Sequence, residues 1–98
     1  MELLNENLWM TEEDNIVTIG LTPELQDEAG DISYANIASL GNIDVDDTII
    51  NVEASKAAIE IPSPIQGKVI ERNEEAEDTP SLLNSSDTAN NWVVKIQK

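Results

Sequence analysis

One lysine stands apart in this sequence because its surroundings suit a covalently modified side chain. Lys56 lies in the segment VEASKAAIEI and is the only basic residue among the first 67 positions. Its neighbours Ser55 and Ala57 are small, so an enzyme could close over the lysine without steric conflict. The same residue types also fit an ordinary exposed loop lysine, which is the commoner case in proteins. The pattern therefore leaves two interpretations open, a modification site and a solvated lysine.

The residues that are missing restrict the chemistry of the chain itself. The sequence contains no His and no Cys, so the commonest general base and the thiol nucleophile are unavailable. No pair of acids stands out locally as an acid–base couple. The acidic run at Asp44, Asp46 and Asp47 lacks the Gly and the closing Glu of a calcium loop. We expect a protein that is neither an enzyme nor a metal binder.

The charge balance restricts the partners. Twenty Asp and Glu residues face five Lys and Arg, for a formal net charge of −15. This charge disfavours nucleic acid and anionic membranes and favours basic partner surfaces, although simple solubility explains it equally well. The start MELLNENLWM lacks the features of a signal peptide, and no apolar run reaches membrane-spanning length. We expect one cytoplasmic, monomeric domain that spans residues 1–98.

Short segments of alternating or β-branched residues predict a mainly β protein. The stretch Leu40-Gly41-Asn42 is predicted as a turn, and many short strands with little helix favour a flattened β-barrel or sandwich. Outside the segment around Lys56, strands are predicted at Asn15–Leu21, Asp31–Ile37, Lys68–Glu71 and Trp92–Gln97.

The segment around Lys56 is predicted to be a hairpin with Thr48–Glu53 and Ala58–Ile61 as its arms. Ile50 and Val52 alternate with Asn51 and Glu53 in the first arm. In the second arm the inward isoleucines 59 and 61 alternate with the outward residues 58 and 60, and both arms therefore have the pattern of a half-buried strand. The residues 54–57 then form the tip. A rigid strand on each side would fix the position of Lys56.

Two threonine–proline pairs predict helix starts, because Thr is a good N-cap and Pro suits the first helical position. After Thr22-Pro23, the residues ELQDEAG predict a short helix that buries Leu25 and Ala29 and ends at Gly30. Thr79-Pro80 precedes a second short helix. The sequence further predicts an acidic polar stretch at Asn73–Asp78 and a loop at Asn84–Asn91.

The hairpin segment, extended to VEASKAAIEIPSPIQGKV, resembles the lipoyl-attachment segment of glycine cleavage system H proteins. The residues that match the pattern of that family are Glu53, Lys56, Ala57, Ala58, Ser63, Pro64 and Gly67. Three further motifs match in the same order and cover nearly the whole chain. They are carried by Thr22, Gln26, Gly30, Asp31 and Ile32, by Asn73, Asp78, Pro80, Leu82 and Asn84, and by the final WVVKI.

This resemblance implies a barrel-sandwich of two antiparallel sheets with short helices and a lipoyl group attached to Lys56. Because the chain has no Cys, the cofactor would supply the thiols and the protein would supply their placement. The family pattern implies that a lipoate ligase or lipoyltransferase recognises Glu53, Ala57 and Gly67. From the residues alone, Glu53 is equally well a solvated carboxylate, and Gly67 suits a turn.

Departures from the family pattern point to its shorter H-like members. The chain has Asn7-Leu8-Trp9 where the family usually has His-Glu-Trp, carries SSDTANN before Trp92, and ends at Lys98 without a helical extension. The resemblance associates H-like proteins with a lipoate ligase, a sirtuin-type ADP-ribosyltransferase and a macrodomain hydrolase. It implies lipoate-dependent redox and ADP-ribosylation signalling under oxidative stress. Asp27, on the predicted first helix, is the expected ADP-ribose acceptor.

Other functions remain open at this point. The resemblance also allows a glycine cleavage H protein that shuttles an aminomethyl group between the glycine cleavage enzymes, with dihydrolipoamide dehydrogenase as a redox partner. A biotin carrier is a weaker alternative, because such carriers usually place Met on both sides of the lysine. An unmodified acidic interaction domain is the alternative from another class.

Overall fold

Two antiparallel sheets form the molecule, as a computed structural model that describes residues 2–98 shows. The six-stranded sheet has the order β1-β2-β3-β9-β8-β5, and the three-stranded sheet has the order β4-β6-β7. The strands are β1 Glu2–Leu3, β2 Leu8–Glu13, β3 Ile16–Leu21, β4 Ile32–Ile37, β5 Gly41–Ile43, β6 Thr48–Ala54, β7 Ala58–Pro62, β8 Gly67–Arg72 and β9 Trp92–Gln97. The predicted mainly β fold with two antiparallel sheets and short helices is confirmed.

Three short helices and one 3₁₀ turn complete the fold. They are α1 Pro23–Ala29, α2 Glu74–Asp78, the 3₁₀ turn Pro80–Asn84 and α3 Thr88–Asn91. Across residues 2–98, no helix has the length and apolar character that a membrane crossing requires.

Aliphatic side chains from both sheets fill the core. Along β3, residues 17, 19 and 21 are buried, and residues 16 and 18 between them are only half-buried. This alternation is expected for a sheet with one face in the core, and it ends at Gly20, which is also buried. The hairpin arms bury Ile50, Val52 and Ile61, on the faces predicted from the alternation. Burial of each such side chain contributes roughly 1.5–3 kcal/mol relative to exposure.

Trp9 lies outside this core and packs on the other face of the six-stranded sheet. Its indole covers Gly20, where an added Cβ would overlap the ring. The indole Nε1 donates a hydrogen bond of 2.9 Å to Oδ1 of Asn91, and both residues are buried. This contact ties the start of β9 to β2, because Asn91 directly precedes Trp92.

Three segments differ from the structure predicted from sequence. The predicted turn at Leu40-Gly41-Asn42 contains the start of β5, which pairs with β8. The acidic stretch at Asn73–Asp78 contains α2, and the predicted loop at Asn84–Asn91 contains α3. The strand β5 and the helix α2 form because each has a partner that is distant in the sequence. The helix α3 forms because a side chain within its own segment caps it.

Arg72 connects α2 to its partner, which is the end of β4. Its guanidinium donates to Oε1 of Glu77 at 2.6 Å, to the carbonyl of Ile37 at 3.0 Å and to the carbonyl of Ala38 at 3.1 Å. The other carboxylate oxygen of Glu77 accepts the N–H of Ile37 at 2.9 Å. A half-buried, multiply bonded ion pair therefore holds this five-residue helix against the end of β4.

Helix α1 forms as its sequence predicts. The hydroxyl of Thr22 accepts the N–H of Leu25 at 3.2 Å, Leu25 and Ala29 are buried, and the N–H of Gly30 donates to Gln26 at 2.9 Å. Gly30 then leaves the helical conformation with φ 82° and ψ −155°, a region that is essentially restricted to glycine.

The end of α1 supports the hairpin tip through three hydrogen bonds. The N–H of Lys56 donates to the carbonyl of Ala29 at 2.9 Å, and the N–H of Ser55 donates to the carbonyl of Asp31 at 2.9 Å. In return the N–H of Asp31 donates to Oγ of Ser55 at 3.0 Å. The two segments approach so closely at Gly30 that an added Cβ would overlap Oγ of Ser55.

We therefore expect Gly30→Ala to destabilise the chain by about 3 kcal/mol, since the substitution combines backbone strain with a steric overlap. Urea unfolding followed by tryptophan fluorescence measures this loss. Hydrogen exchange should also accelerate at the Lys56 amide, because its acceptor lies on Ala29.

The variant Ser55→Ala provides the matched control, because it removes the overlapping oxygen and keeps the hairpin. Gly30→Ala should cost less in the Ser55→Ala background than in the original chain. Equal costs in the two backgrounds would show that the close contact between Gly30 and Ser55 does not contribute.

Candidate functional site

Lys56 lies at the tip of the β6–β7 hairpin, as predicted. Glu53 pairs with Ala58 in the last rung of the ladder, and the N–H of Ala54 donates to the carbonyl of Ala57 at 3.0 Å. The connection is therefore short, and Lys56 is exposed at its centre. Strands on both sides hold the backbone of this lysine.

The two nitrogens of Lys56 have different environments. Its backbone N–H is anchored to Ala29, whereas its side-chain Nζ donates to the carbonyl of Asp27 at an exposed position, 3.1 Å away. A cation is favourable there because the last carbonyls of a helix carry partial negative charge. The partner is a backbone oxygen that water can replace, so the amine can leave it without exposing a buried group.

Asp27, predicted as the ADP-ribose acceptor from its position on the first helix, lies beside Lys56, because its backbone carbonyl accepts a hydrogen bond from the Nζ of that lysine. The residue is exposed on α1, and Glu24 and Glu28 are exposed on the same helix. The structure thus brings an acidic helix surface and Lys56 together. Whether the Asp27 carboxylate accepts a modification stays a prediction.

The candidate recognition residues fall into two groups. Glu53 is exposed near the end of β6, and Ala57 is half-buried next to the lysine. Gly67 instead begins β8 in the other sheet, where an added Cβ would lie 2.5 Å from the carbonyl of Gln97. Close packing against β9 explains this glycine, in line with a conformational role. Recognition of the three residues by a lipoylating enzyme stays a prediction.

Sequence patterns did not identify three residues that shape this site. The sequence predicts Gly30 as a helix stop and as part of a family motif, and Ser55 as a small neighbour of Lys56. It does not predict their mutual contact, which joins residues 25 positions apart in the chain. Tyr34 was placed in a strand without any role. Tyrosine is a common strand residue, so its residue type alone carried no signal of a surface role.

The charges around the tip are of one sign apart from Lys56 itself. The strands of the three-stranded sheet contain Glu53 and Glu60 as their charged residues, and α1 contributes Glu24, Asp27 and Glu28. The four other basic residues belong to the six-stranded sheet or directly follow it: Lys68 and Arg72 in β8, Lys95 in β9, and Lys98. Lys56 is therefore the single lysine or arginine at the tip end of the three-stranded sheet, since Arg72 reaches the opposite end of β4.

This arrangement fits a carboxylic-acid cofactor held as an amide. The tip presents a primary amine that is exposed, has small neighbours and sits on a fixed backbone. The geometry therefore suits attachment of a group that has to move over a wide space while its base stays in place.

Comparison with protein families agrees with this geometry. The family model described as glycine cleavage H-protein matches residues 1–98. The glycine cleavage system H-like protein of Staphylococcus aureus is 38% identical over 96 residues, which cover 98% of this chain and 87% of that protein. The glycine cleavage system H protein of Staphylococcus haemolyticus is 40% identical over 93 residues, covering 94% and 74%.

A solved structure supports the fold independently. The crystal structure of a glycine cleavage system H protein from Mycobacterium marinum superposes with a TM-score of 0.85 at 20% identity, covering 97% of this chain and 80% of that one. With the family model and the two relatives, this places the chain in the glycine cleavage H-protein family, whose members carry lipoate covalently attached to a lysine.

Proposed function

We propose that Lys56 is the lipoylated lysine of this chain and that the chain acts as a carrier for the lipoyl group. The observation that carries the proposal is the combination at the tip of a fixed backbone with an exposed amine. The lysine also lies within the segment that matches the attachment pattern of the family. The protein is a carrier rather than a catalyst, and it relies on partner enzymes for each chemical step.

Attachment requires the lysine to act as a nucleophile towards an activated acyl group. A lipoate ligase would form lipoyl-AMP from lipoate and ATP with release of pyrophosphate. The Lys56 ammonium loses one proton, and its nitrogen attacks the acyl carbon. AMP departs with the electrons of the carbon–oxygen bond, and the nitrogen loses a second proton to give the amide. For this step the Lys56 nitrogen leaves the carbonyl of Asp27, to which it donates a hydrogen bond in the structure.

When bound, the lipoyl group supplies a dithiolane that can undergo thiol–disulfide exchange. The chain contributes position and electrostatics. The hydrogen bonds to Ala29 and Asp31 keep the attachment point in place, while the acidic surroundings attract basic partner surfaces. Attachment also removes the one positive charge at the tip end of the three-stranded sheet.

The partners that fit the family are lipoylating enzymes and the glycine cleavage enzymes, with dihydrolipoamide dehydrogenase for the redox step. We propose a cytoplasmic, monomeric domain over residues 1–98 as the working form. Two finer functions share the Lys56 arm: service in glycine cleavage and the signalling function of an H-like protein.

The second function is supported by two observations. A relative with the H-like name matches 98% of the chain, and the exposed Asp27 lies beside Lys56. In this function a sirtuin-type enzyme transfers ADP-ribose from NAD to a carboxylate near the arm. The carboxylate oxygen bonds to C1 of the ribose, nicotinamide leaves, and a macrodomain hydrolase would later reverse the modification.

The first experiment tests Lys56. The chain is incubated with a purified lipoate ligase, lipoate and ATP, and its intact mass is measured. We expect one lipoyl addition on the original chain and on Lys68→Arg, a control in which an exposed strand lysine is changed in the same way. Lys56→Arg should receive none, because a guanidinium does not form the amide.

The outcomes separate the alternatives. Addition to Lys56→Arg would place the attachment site on another lysine. A parallel incubation with biotin ligase tests the biotin carrier. An original chain that accepts neither group would leave the unmodified interaction domain as the function.

A second experiment tests Asp27. The lipoylated chain is incubated with NAD and a sirtuin-type ADP-ribosyltransferase, and ADP-ribose addition is followed by mass and fragment-ion mapping. We expect one addition that Asp27→Asn abolishes and that Glu13→Gln, an exposed acid on β2, leaves unchanged. Transfer that persists in Asp27→Asn would assign another acceptor, and no transfer together with loading by the glycine cleavage enzymes would favour glycine cleavage.

A further inference from the structure

We propose that the outer face of the three-stranded sheet beside the tip is the docking surface for the enzyme that attaches lipoate, with Tyr34 as a specificity-determining contact. This inference rests on the proposed attachment at Lys56 and adds the surface through which the attaching enzyme would recognise the chain. It concerns residues 34–60 rather than the attachment segment alone.

The face is built from two rows of cross-strand neighbours. Tyr34, Glu53 and Ala58 pair across β4, β6 and β7 in the row nearest the tip, and all three are exposed. Asn36, Asn51 and Glu60 form the next row. Directly opposite residues have Cβ atoms about 5 Å apart, so the Tyr34 ring and the Glu53 carboxylate share one surface. A shallow groove of about 330 Å³ runs along it, lined mainly by these residues.

Tyr34 differs from the other aromatic residues of the chain. It is 49% exposed, whereas Trp9 is 4% exposed and packs on Gly20, and Trp92 is half-buried under Lys95. Burial therefore accounts for Trp9, whereas about half of the surface of Tyr34 remains free to contact a partner. Tyrosine is among the residue types that dominate binding energy at protein interfaces, because its ring buries a large area at low entropic cost.

The approach to Lys56 favours this face. On one side, the tip is occupied by the end of α1, which holds the backbone through Ala29 and Asp31 and the side chain through the carbonyl of Asp27. A protein interface of standard size covers roughly 800 Å² on each partner, out of a total surface of 5454 Å². An interface of that size centred on Lys56 extends over the row nearest the tip, which consists of Tyr34, Glu53 and Ala58.

Charge identifies the chemistry of the partner surface. Glu53 and Glu60 are the charged residues of the sheet, and every basic residue apart from Lys56 lies in or next to the other sheet. The complementary partner is a basic protein surface with an apolar recess for the Tyr34 ring. An encounter of this kind accelerates at low ionic strength.

Kinetics of the attachment reaction test the inference. Initial rates of lipoyl addition by a purified lipoate ligase are measured against the concentration of the chain for Tyr34→Ala, Tyr34→Phe and Leu40→Ala. Leu40 is 60% exposed and lies outside the face, so it serves as the control for loss of a surface apolar group. Thermal unfolding of each variant confirms that it is folded.

We expect Tyr34→Ala to raise KM about tenfold with kcat nearly unchanged, Tyr34→Phe to remain within about twofold of the original chain, and Leu40→Ala to match it. Glu53→Gln should raise KM and weaken the dependence of kcat/KM on salt. Glu13→Gln, on the other sheet, should do neither.

A binding measurement that needs no product completes the test. The ¹⁵N-labelled Lys56→Arg chain is titrated with the ligase, and amide signals of the two rows should broaden before those of β2 and β3. Unchanged kcat/KM in Tyr34→Ala, or broadening confined to the six-stranded sheet, would overturn the docking surface while lipoylation of the original chain still succeeds. Failure of the original chain to become lipoylated would instead overturn the proposed function.

Discussion

The hairpin tip rests on the end of helix α1 through three hydrogen bonds, and the position of Lys56 depends on this contact. Two of these bonds join backbone groups, and the third uses the hydroxyl of Ser55. The contact forms because Gly30 has no Cβ and adopts a conformation that other residues avoid. A hairpin without such support would leave its last residues free to fray. The helix therefore supports the proposed attachment point, although it contains none of the hairpin residues.

A fixed base has a definite advantage for a mobile arm. If the backbone of Lys56 moved as well, each encounter with a partner would have to order both the tip and the arm, and the entropic cost of binding would rise. With the tip held in place, only the side chain and the group proposed to be attached to it remain to be ordered. The bond from Nζ to the carbonyl of Asp27 adds little restraint, because both groups are accessible to water.

The basic residues of the chain are unevenly distributed between the two sheets. Basic residues in the six-stranded sheet or directly after it form ion pairs with neighbouring acids, namely Arg72 with Glu74 and Glu77, Lys95 with Glu71, and Lys98 with Glu12. The acids around the hairpin have no such lysine or arginine beside them apart from Lys56. Their repulsion costs some stability, and that cost is consistent with a surface that has to attract basic partners. The sequence revealed the total charge, whereas only the pairing of strands revealed its segregation.

Elements that depend on adjacent residues were predictable from the sequence: the hairpin followed from its alternation, and α1 followed from Thr22-Pro23 and Gly30. By contrast, α2 depends on Arg72 reaching β4, and the support of the tip depends on residues 24 positions apart, so neither could be derived from local pattern.

Asn7 illustrates how a departure from the family pattern can leave the fold intact. This residue stands where the family usually has His, and its backbone carbonyl accepts the N–H of Thr22 at 3.0 Å. The neighbouring carbonyl of Glu6 accepts the hydroxyl of Thr22, which also caps α1. Because the backbone of this turn makes the contacts, many side chains at position 7 are compatible with a helix that still supports the tip. The side chain at position 7 can therefore differ from that of the family without disturbing the presentation of Lys56.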